Sequence, residues 1–377
     1  IFIKSVPVKR ITINHIPDFI KGDYTIQRIK MYERETSLKE AEKIWRKDFI
    51  LFHLKKNDWD IIKTANKLKV RKGTMETFIN NLDIVLPVPK ISEPLYQKTI
   101  KRSILTSGRG LHSGVKTGLI LSPMPAGSGI IFGNISTGET IPAHLDYVES
   151  SEFATSLKKN NSYVKTIEHF LATLHAYKVN NLLVKINDEL PIMDGSALDF
   201  CQLIEDAGLE EQEAFQEEIV IDKKYQVGAL EKNGKQIIIE PADEFIIRYF
   251  LDYPVPVGKQ EFYFVMNNAS DFKNNIAPSR TFGFLKDIEA LEKKGLASGG
   301  RLNNFILVDD EKVVNTKLRF PDEFARHKIL DIIGDFYLLG RPIKGAITAH
   351  MTGHIDNISL IKIIRDSLNL SWQNSIL

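Results

Sequence analysis

The chain has 377 residues, a length typical of two or three domains. Hydrophobic residues make up 43% and charged residues 26%, which are ordinary values for a folded globular protein and exclude a chain that is mainly disordered. The single cysteine, Cys201, excludes an intramolecular disulfide and a cysteine-rich zinc finger. The sequence contains neither an apolar stretch of membrane-spanning length nor a secretory signal pattern, so we expect a cytoplasmic protein without a transmembrane segment.

The net charge of +2 is unevenly distributed along the chain. Residues 1–95 hold 19 Lys and Arg against 12 Asp and Glu, whereas the rest of the chain holds 31 against 36. Seven of the nine histidines lie between His112 and His354, counting both. This division predicts a basic N-terminal piece whose charge suits contact with nucleic acid, and a separate piece that carries the chemistry.

The stretch that begins at Ser37 is predicted to contain three helices. Ser37 and Glu40 have the spacing of a capping box, in which each side chain accepts a hydrogen bond from the other residue's backbone amide. Two further helices fit residues 58–68 and 72–82, and the short link between them is typical of a helix-turn-helix. The apolar residues at helical spacing are Ala41, Ile44, Trp45, Phe49, Phe52, Ile61, Ile62, Ala65, Leu68, Met75, Phe78, Ile79 and Leu82.

This stretch resembles the Fis-like DNA-binding module at the C-terminus of NtrC-type response regulators. The matching residues are Ser-Leu-Lys-Glu-Ala at 37–41, Trp-Asp-Ile-Ile-Lys-Thr-Ala-Asn-Lys-Leu at 59–68 and Asn-Leu-Asp-Ile at 81–84. The resemblance implies a small all-α helix-turn-helix module at 36–86 with DNA as a partner, an irregular segment at 1–35 that corresponds to the tail of a regulator-like ATPase domain, and a proline-rich linker at 87–97. Residues 73–81, the expected recognition helix, contain no basic residue, so a module that only packs, dimerises or links is the alternative.

The candidate functional residues lie in short blocks within residues 98–370. In the first block, closely spaced glycines permit a tight turn with its backbone near a ligand, and His112 is either a structural or a substrate contact. In the second, Glu168 and His169 begin an amphipathic helix that Thr166 is placed to cap. Because successive helical side chains point about 100° apart, one of the pair is able to bind a metal while the other faces a metal-bound water. The alternative is a solvated surface pair.

Two further blocks predict the surroundings of a site. Asp194 and Gly195 form a turn signal, and Asp194 is expected to cap the next helix or to shape the floor of the site, where it is a candidate substrate contact. In the next block the Thr281 hydroxyl is able to donate a hydrogen bond to an oxyanion, whereas the alternative is a strand threonine among core aromatic residues. The aromatic neighbours Phe282 and Phe284 are candidate substrate contacts.

The fifth block carries a row of ionisable side chains on one helix. His327, Asp331 and Asp335 follow one another at intervals of four residues and share one helix face. A histidine and a carboxylate one turn apart suit zinc, although a simple salt bridge is the alternative. Further along, Gly353 predicts a turn that leaves His354 exposed at the end of a strand.

Taken together, these residues predict metal-assisted hydrolysis of an amide or ester. The predicted metal ligands are His169, His327 and Asp331. Three protein ligands leave a fourth position for water, as catalytic zinc sites do. Glu168 is suited to accept a proton from that water, and His354, oriented by Asp335, is suited to protonate the leaving group.

In order and spacing, the blocks resemble the UDP-3-O-acyl-N-acetylglucosamine deacetylases, a family of zinc amidohydrolases of lipid A biosynthesis. The matching motifs are Gly-Leu-His-Ser-Gly at 110–114, Thr-Ile-Glu-His at 166–169, Pro-Ile-Met-Asp-Gly-Ser at 191–196, Arg-Thr-Phe-Gly-Phe at 280–284, Arg-His-Lys-Ile-Leu-Asp-Ile-Ile-Gly-Asp at 326–335 and Gly-His at 353–354. The resemblance implies a Zn²⁺ cofactor, UDP-3-O-acyl-N-acetylglucosamine as substrate, and hydrolysis of its acetamide to a free amine and acetate. The implied site consists of the zinc ligands His169, His327 and Asp331, the general base Glu168, the general acid His354 with its support Asp335, the oxyanion donor Thr281, and Lys328, which would hold substrate or charge near the zinc.

The predicted fold class is α+β. Short strands alternating with amphipathic helices predict two α+β halves, residues 98–212 and 213–377, linked by the acidic stretch 210–218. The resemblance implies that these halves are similar sandwich-like domains with the active site between them, and that residues 250–257 and 262–264 either line an acyl channel or belong to the core. Two alternative functions stay open: a DNA-binding transcriptional regulator fused to an inactive hydrolase, and a zinc amidohydrolase that acts on a different acyl-amide.

Overall fold

The computed structural model of this chain describes residues 37–57, 59–84 and 95–370. The chain divides into two compact units, Ile1–Ser92 and Glu93–Leu377. The predicted irregular segment at 1–35 lies outside the described residues, and so does the predicted linker at 87–97 except for its last three residues.

The first unit contains three helices in the described part of the chain, as the sequence predicts. They are α1 (Leu38–Lys56), α2 (Ile61–Lys67) and α3 (Lys72–Asn81). The capping box is present, because the Ser37 N–H donates to the Glu40 carboxylate at 3.0 Å and the Ser37 hydroxyl oxygen accepts from the Glu40 N–H at 3.3 Å. The Asp60 carboxylate caps α2 by accepting from the N–H of Lys63.

The core of the first unit uses only one side of α1. Its buried apolar residues are Ile50, Leu54, Ala65, Met75, Ile79, Leu82 and Ile84. The aromatic residues Trp45, Phe49 and Phe52 are instead 48%, 41% and 60% exposed. Helices of seven and ten residues are too short to cover a helix of 19 residues along its length. Apolar spacing therefore predicts α1 correctly but not which of its apolar positions are buried.

The second unit mixes strands and helices, in agreement with the predicted α+β class. Its strands are β1 (Tyr96–Ile100), β2 (Ile104–Arg109), β3 (Lys116–Pro123), β4 (Ile130–Asn134), β5 (Thr140–Pro142), β6 (Val148–Ser150), β7 (Ser156–Lys159), β8 (Ser162–Lys165), β9 (Leu182–Ile186), β10 (Leu209–Phe215), β11 (Ile219–Val220), β12 (Tyr225–Ala229), β13 (Lys235–Glu240), β14 (Phe245–Asp252), β15 (Lys259–Val265), β16 (Phe282–Phe284), β17 (Ile306–Val308) and β18 (Ile343–His350). Its helices are α4 (Glu168–Tyr177), α5 (Leu198–Ala207), α6 (Leu230–Asn233), α7 (Ala269–Asn275), α8 (Leu285–Lys293), α9 (Glu323–Phe336) and α10 (His354–Leu368), with 3₁₀ turns at Leu145–Tyr147 and Tyr337–Leu339.

Two large sheets organise this unit. One has the strand order β2-β3-β9-β4-β5, and the other has the order β12-β13-β18-β14-β15 with β11 paired to β18. Buried and more exposed side chains alternate along β3 and β14, as expected for sheets with one covered face. Helix α9 packs on β14, α10 packs on β12 and β13, and α4 packs against α9. One continuous hydrophobic core includes residues of both sheets and of these helices.

Three small sheets complete the unit. Strands β6, β7 and β8 form the first, and the parallel strands β16 and β17, which precede and follow α8 in the sequence, form the second. In the third, β1 pairs with β10. The last pairing corrects the prediction of an acidic linker, because residues 209–215 form an antiparallel strand with Lys98 opposite Glu211 and an ion pair of 3.2 Å between them. The predicted boundary between residues 212 and 213 falls inside this strand, and the division into two domains stays a prediction.

Helices α4 and α9 cross with almost no space between their backbones. All ten residues of α4 are buried. A Cβ atom at Gly334 of α9 would lie 2.0 Å from the carbonyl oxygen of Glu168, the first residue of α4. Further along α4, the Nδ1–H of His175 donates to the carbonyl of Ile333 at 2.9 Å. The glycine therefore fixes how closely the start of α4 approaches α9.

We expect Gly334→Ala to lower the free energy of unfolding by about 1–3 kcal/mol, because the added methyl group overpacks the crossing. Thermal and denaturant unfolding of the full chain measure this change. Gly118→Ala is the matched control, since a Cβ atom at Gly118 of β3 meets no atom within 4 Å; its effect should stay within about 0.5 kcal/mol. Equal effects of the two substitutions would contradict the importance of the crossing.

Candidate active site

The crossing of α4 and α9 brings the three predicted metal ligands together. The Nε2 atoms of His169 and His327 lie 3.9 Å and 3.5 Å from Oδ1 of Asp331. One potential ligand atom from each residue lies within 4.8 Å of the other two, and all three side chains are buried. These side chains come from two helices that are distant in sequence, so the cluster depends on the tertiary structure.

The chemistry of the cluster fits a metal cation. Oδ1 of Asp331 is buried and has no hydrogen-bond partner among the described residues. The Nδ1–H of His327 donates to the carbonyl of Ser279 at 3.1 Å, which leaves the Nε2 lone pair free for a ligand. Burial lowers the pKa of His169 to about 3 and also lowers the pKa of His327, so both imidazoles are neutral. Neutral imidazoles and a carboxylate are donors that zinc accepts.

Lys328 stabilises the charge of the aspartate. Its ammonium group donates to Oδ2 of Asp331 at 2.7 Å. Burial alone would raise the pKa of the Asp331 carboxyl, but the positive charge of Lys328 outweighs this effect and keeps the pKa well below its usual range. Asp331 is therefore ionised, with one oxygen held by Lys328 and the other directed at the two histidines.

Glu168 and His354 lie close to each other beside this cluster. Nε2 of His354 is 4.0 Å from Oε1 of Glu168 and 3.9 Å from Oδ2 of Asp331. Nδ1 of His354 donates to Oδ2 of Asp335 at 2.8 Å. His354 is mostly buried at the start of α10, which corrects the expectation of an exposed position at a strand end. That expectation came from the local turn signal, whereas the burial comes from the contact with Asp335.

The surroundings give Glu168 and His354 unusual proton affinities. Burial raises the pKa of the Glu168 carboxyl to about 7. Burial opposes protonation of His354, but Asp335 and Asp331 outweigh it and raise the pKa of the imidazole to about 9. A carboxyl that titrates near neutral pH beside a readily protonated imidazole is typical of an acid–base pair.

A cavity of about 480 Å³ opens onto these groups. The predicted site residues that line it are His112, Glu168, His169, Thr281, Phe282, Phe284, His327, Lys328, Asp331 and His354. Asp335 lies behind His354, and Asp194 does not line the cavity but binds Arg319 at 2.7 Å. Of the segments predicted as an acyl channel, only Tyr253 lines the cavity, and its other apolar walls include Phe153 and Leu291.

Backbone contacts fix the position of Thr281. Its N–H donates to the carbonyl of Gly195 at 2.8 Å. Gly195 has a positive φ of 88°, and a Cβ atom there would lie 2.2 Å from the carbonyl oxygen of Asn304, so this turn requires glycine. The preceding residue, Arg280, forms a buried ion pair of 2.8 Å with Glu323 at the start of α9. Blocks that are separate in the sequence are thus joined around the cavity.

The two helix caps predicted for the second unit are wrong. Helix α4 starts after Ile167, and Thr166 adopts a positive φ of 59° and donates its hydroxyl to Glu189. Helix α5 starts after Ala197, and the Asp194 carboxylate accepts from the N–H and hydroxyl of Ser196 instead. The Asp194 side chain thus stabilises the turn that precedes α5, a role that local sequence does not distinguish from capping. The Thr166 hydroxyl instead makes a long-range contact, which local sequence does not reveal.

Sequence reasoning missed three residues that organise the site. Glu189 is buried and accepts the backbone N–H groups of His112 and Ser113, which fixes the glycine-rich turn. Thr155 and Asn357 both donate to the Asp335 carboxylate, at 2.6 Å and 2.8 Å. The contact between Thr155 and Asp335 spans 180 residues. No local pattern signals such a partner, although an acidic residue just before the Pro-Ile-Met-Asp-Gly motif marks Glu189 as a candidate.

Comparisons with known proteins match the second unit. The family model described as UDP-3-O-acyl N-acetylglycosamine deacetylase (LpxC) matches residues 97–366. The UDP-3-O-acyl-N-acetylglucosamine deacetylase of Myxococcus xanthus is 43% identical over 270 residues, which cover 71% of this chain and 85% of that protein. The enzymes of the same name from Aliarcobacter butzleri and Helicobacter pylori are each 38% identical over 277 residues, covering 72% of this chain and 91% and 92% of those proteins.

We expect His327→Ala to abolish metal binding, because His327 is one of only three candidate ligands in the described cluster. Loss of a residue that only hydrogen-bonds to a metal ligand already lowers metal affinity by about 10–100-fold. Elemental analysis of the purified full chain measures the metal content. His350→Ala is the control, because His350 stacks on Phe250 outside the cavity. Full metal content in the His327 variant would disprove the ligand set.

Proposed function

The chain belongs to the family of UDP-3-O-acyl-N-acetylglucosamine deacetylases and is a hydrolase; we propose that it removes acetate from the 2-acetamido group of UDP-3-O-acyl-N-acetylglucosamine in lipid A biosynthesis with the aid of a bound zinc ion. The observation that carries this proposal is the buried cluster of His169, His327 and Asp331, with Glu168 and His354 beside it. Metal-dependent hydrolysis of an amide requires an acid–base pair beside a set of metal ligands.

His169, His327 and Asp331 would hold the zinc ion. When bound, zinc supplies a Lewis acid that polarises the acetamide carbonyl and lowers the pKa of water. The hydrogen bond from His327 to Ser279 and the ion pair from Asp331 to Lys328 keep these ligands oriented. Such partners fix ligand geometry before the metal arrives.

Glu168 and His354 move the protons of the reaction. The Glu168 carboxylate accepts a proton from water as the water oxygen attacks the acetamide carbon. The Nε2–H of His354 then protonates the nitrogen as the carbon–nitrogen bond breaks, which releases acetate and the free amine. Asp335 accepts the Nδ1–H of His354 at 2.8 Å and so directs Nε2 toward the cavity.

Thr281, Lys328 and His112 would contact the substrate. Thr281 lines the cavity and its backbone N–H is held by the carbonyl of Gly195, so its hydroxyl is suited to donate to the substrate's carbonyl oxygen as negative charge develops on it. Lys328 adds positive charge near the same position. His112 lines the cavity, and neither of its ring nitrogens has a hydrogen-bond partner in the described part of the chain, so we assign it to a polar group of the sugar nucleotide.

The aromatic wall of the cavity suits the 3-O-acyl chain. Phe282 packs edge-on against Phe284 and His327, and Tyr253 packs edge-on against both phenylalanines. Phe153 and Leu291 extend the apolar surface. An acyl chain that leaves water along this wall gains about 0.8 kcal/mol per buried methylene group.

The finer organisation of the chain is part of the proposal. The two large sheets suit two sandwich-like halves around the cavity. For the first unit we propose a role in packing, dimerisation or linkage in preference to DNA binding. The exposed face of α3 carries Glu76 in an ion pair with Lys72 and lacks the arginines of a recognition helix.

None of the helices in the described part of the chain has the length and apolar character that a membrane crossing requires. The cytoplasmic location stays a prediction.

Glu168→Gln and His354→Ala should each lower kcat by about a hundredfold to ten-thousandfold, because each removes one proton-transfer group, while both variants keep their metal. The measurement is release of acetate from UDP-3-O-acyl-N-acetylglucosamine, with elemental analysis alongside. Glu261→Gln is the control, since Glu261 pairs with Arg248 on the surface away from the cavity. Normal turnover in both site variants would refute these catalytic roles.

Removal of the 3-O-acyl chain from the substrate should lower kcat/KM by more than about tenfold. Each buried methylene group stabilises the bound substrate by about 0.8 kcal/mol, so two such groups already account for a tenfold change. Parallel assays of acylated and non-acylated UDP-N-acetylglucosamine measure the difference. Equal kcat/KM values would favour the alternative of an amidohydrolase for a different acyl-amide.

A further inference from the structure

Thr155 lies between the two proton-transfer groups of the site. Its backbone N–H donates to Oε2 of Glu168 at 3.1 Å, and its hydroxyl donates to Oδ1 of Asp335 at 2.6 Å. The hydroxyl oxygen is also 3.3 Å from Nδ1 of His354. The residue is fully buried. Thr155, just before β7, therefore contacts the carboxylate that orients His354 through its side chain and contacts Glu168 through its backbone.

The hydroxyl fixes the rotation of the Asp335 carboxylate. Oδ2 of Asp335 accepts from Nδ1 of His354 and from the Asn357 amide, each at 2.8 Å. Among the described residues, the Thr155 hydroxyl is the partner found for Oδ1. With both oxygens engaged, the carboxylate keeps Oδ2 opposite the imidazole. Without the hydroxyl, a fully buried carboxylate oxygen would lack a partner, and the carboxylate would turn to recover one.

The same contact determines which nitrogen of His354 faces the cavity. The single hydroxyl proton of Thr155 is given to Asp335, so the Nδ1–H of His354 is left to donate to Oδ2 of Asp335. The imidazole then presents Nε2 toward Glu168, 4.0 Å away. Because Thr155 is separated from Asp335 by 180 residues and from His354 by 199, this orientation requires the segment just before β7 to lie against α9 and the start of α10.

We propose that Thr155 is a positioning residue of the deacetylation, whose hydroxyl holds the Asp335 carboxylate so that His354 presents Nε2 to the leaving nitrogen. This inference rests on the proposed function. Serine, alanine and valine all keep the backbone N–H that donates to Glu168, so variants with these residues test the side chain of Thr155.

The test compares Thr155→Ser, Thr155→Ala and Thr155→Val in the full chain. Serine and alanine both lack the methyl group and differ only in the hydroxyl, while valine keeps the volume and lacks the hydroxyl. In the alanine and valine variants kcat should fall by about 10–100-fold, the range typical when a hydrogen-bond partner that orients a site residue is lost. KM should change by less than about threefold, and the metal content should stay the same. The serine variant should recover kcat to within about threefold of the wild-type chain.

Thr99→Val is the matched control. Thr99 is a buried threonine whose hydroxyl donates to the Asn181 carbonyl at 2.6 Å, outside the cavity. Its loss should lower the melting temperature but leave kcat unchanged. The proposal is overturned if the alanine variant matches the serine variant in kcat, if the loss in kcat is matched by loss of metal, or if Thr99→Val lowers kcat as much as Thr155→Val. The wild-type rate in the same assay tests the proposed function, whereas the ratio of serine to alanine rates tests Thr155.

Discussion

The site depends on the closeness of two helix backbones. Gly334 lets α9 approach the first turn of α4, and this contact sets the distance between His169 on one helix and His327 with Asp331 on the other. Metal–ligand bonds of about 2 Å tolerate little displacement. Because α4 is buried along its whole length, the helix has no solvent-exposed side on which it could shift. The rigidity of the core is thus transmitted directly to the ligands.

Such a site requires charged groups in the interior, where burial disfavours them. The structure meets this cost with specific partners. Lys328 neutralises Asp331, and Asp335 accepts hydrogen bonds from Thr155, Asn357 and His354. Glu168 is compensated less completely, which is why burial raises its pKa to about 7. The incomplete compensation is useful, since a proton acceptor works best when its pKa lies near the working pH.

The errors in prediction share a physical origin. The acidic stretch that follows α5 was expected to be a linker, yet it pairs with β1, and nothing in its own residues identifies Lys98 as the partner of Glu211. The aromatic face of α1 has the correct helical spacing, but burial depends on which neighbours cover the helix. Thr166 and Asp194 have the chemistry of caps, but Thr166 bonds distant Glu189 and Asp194 stabilises a turn. Local chemistry limits the roles of a residue, and the surrounding chain selects among them.

The sequence by itself determined the α+β class, the helices of the first unit, and the residue types of the site, because helix periodicity, capping chemistry and the spacing of His327, Asp331 and Asp335 are local properties. Only the tertiary structure decided that His169 meets His327, that His354 is buried against Asp335, and that Thr155 joins this pair to Glu168. These contacts connect residues distant in the sequence, and their geometry follows from how the helices and sheets pack, which no single segment encodes.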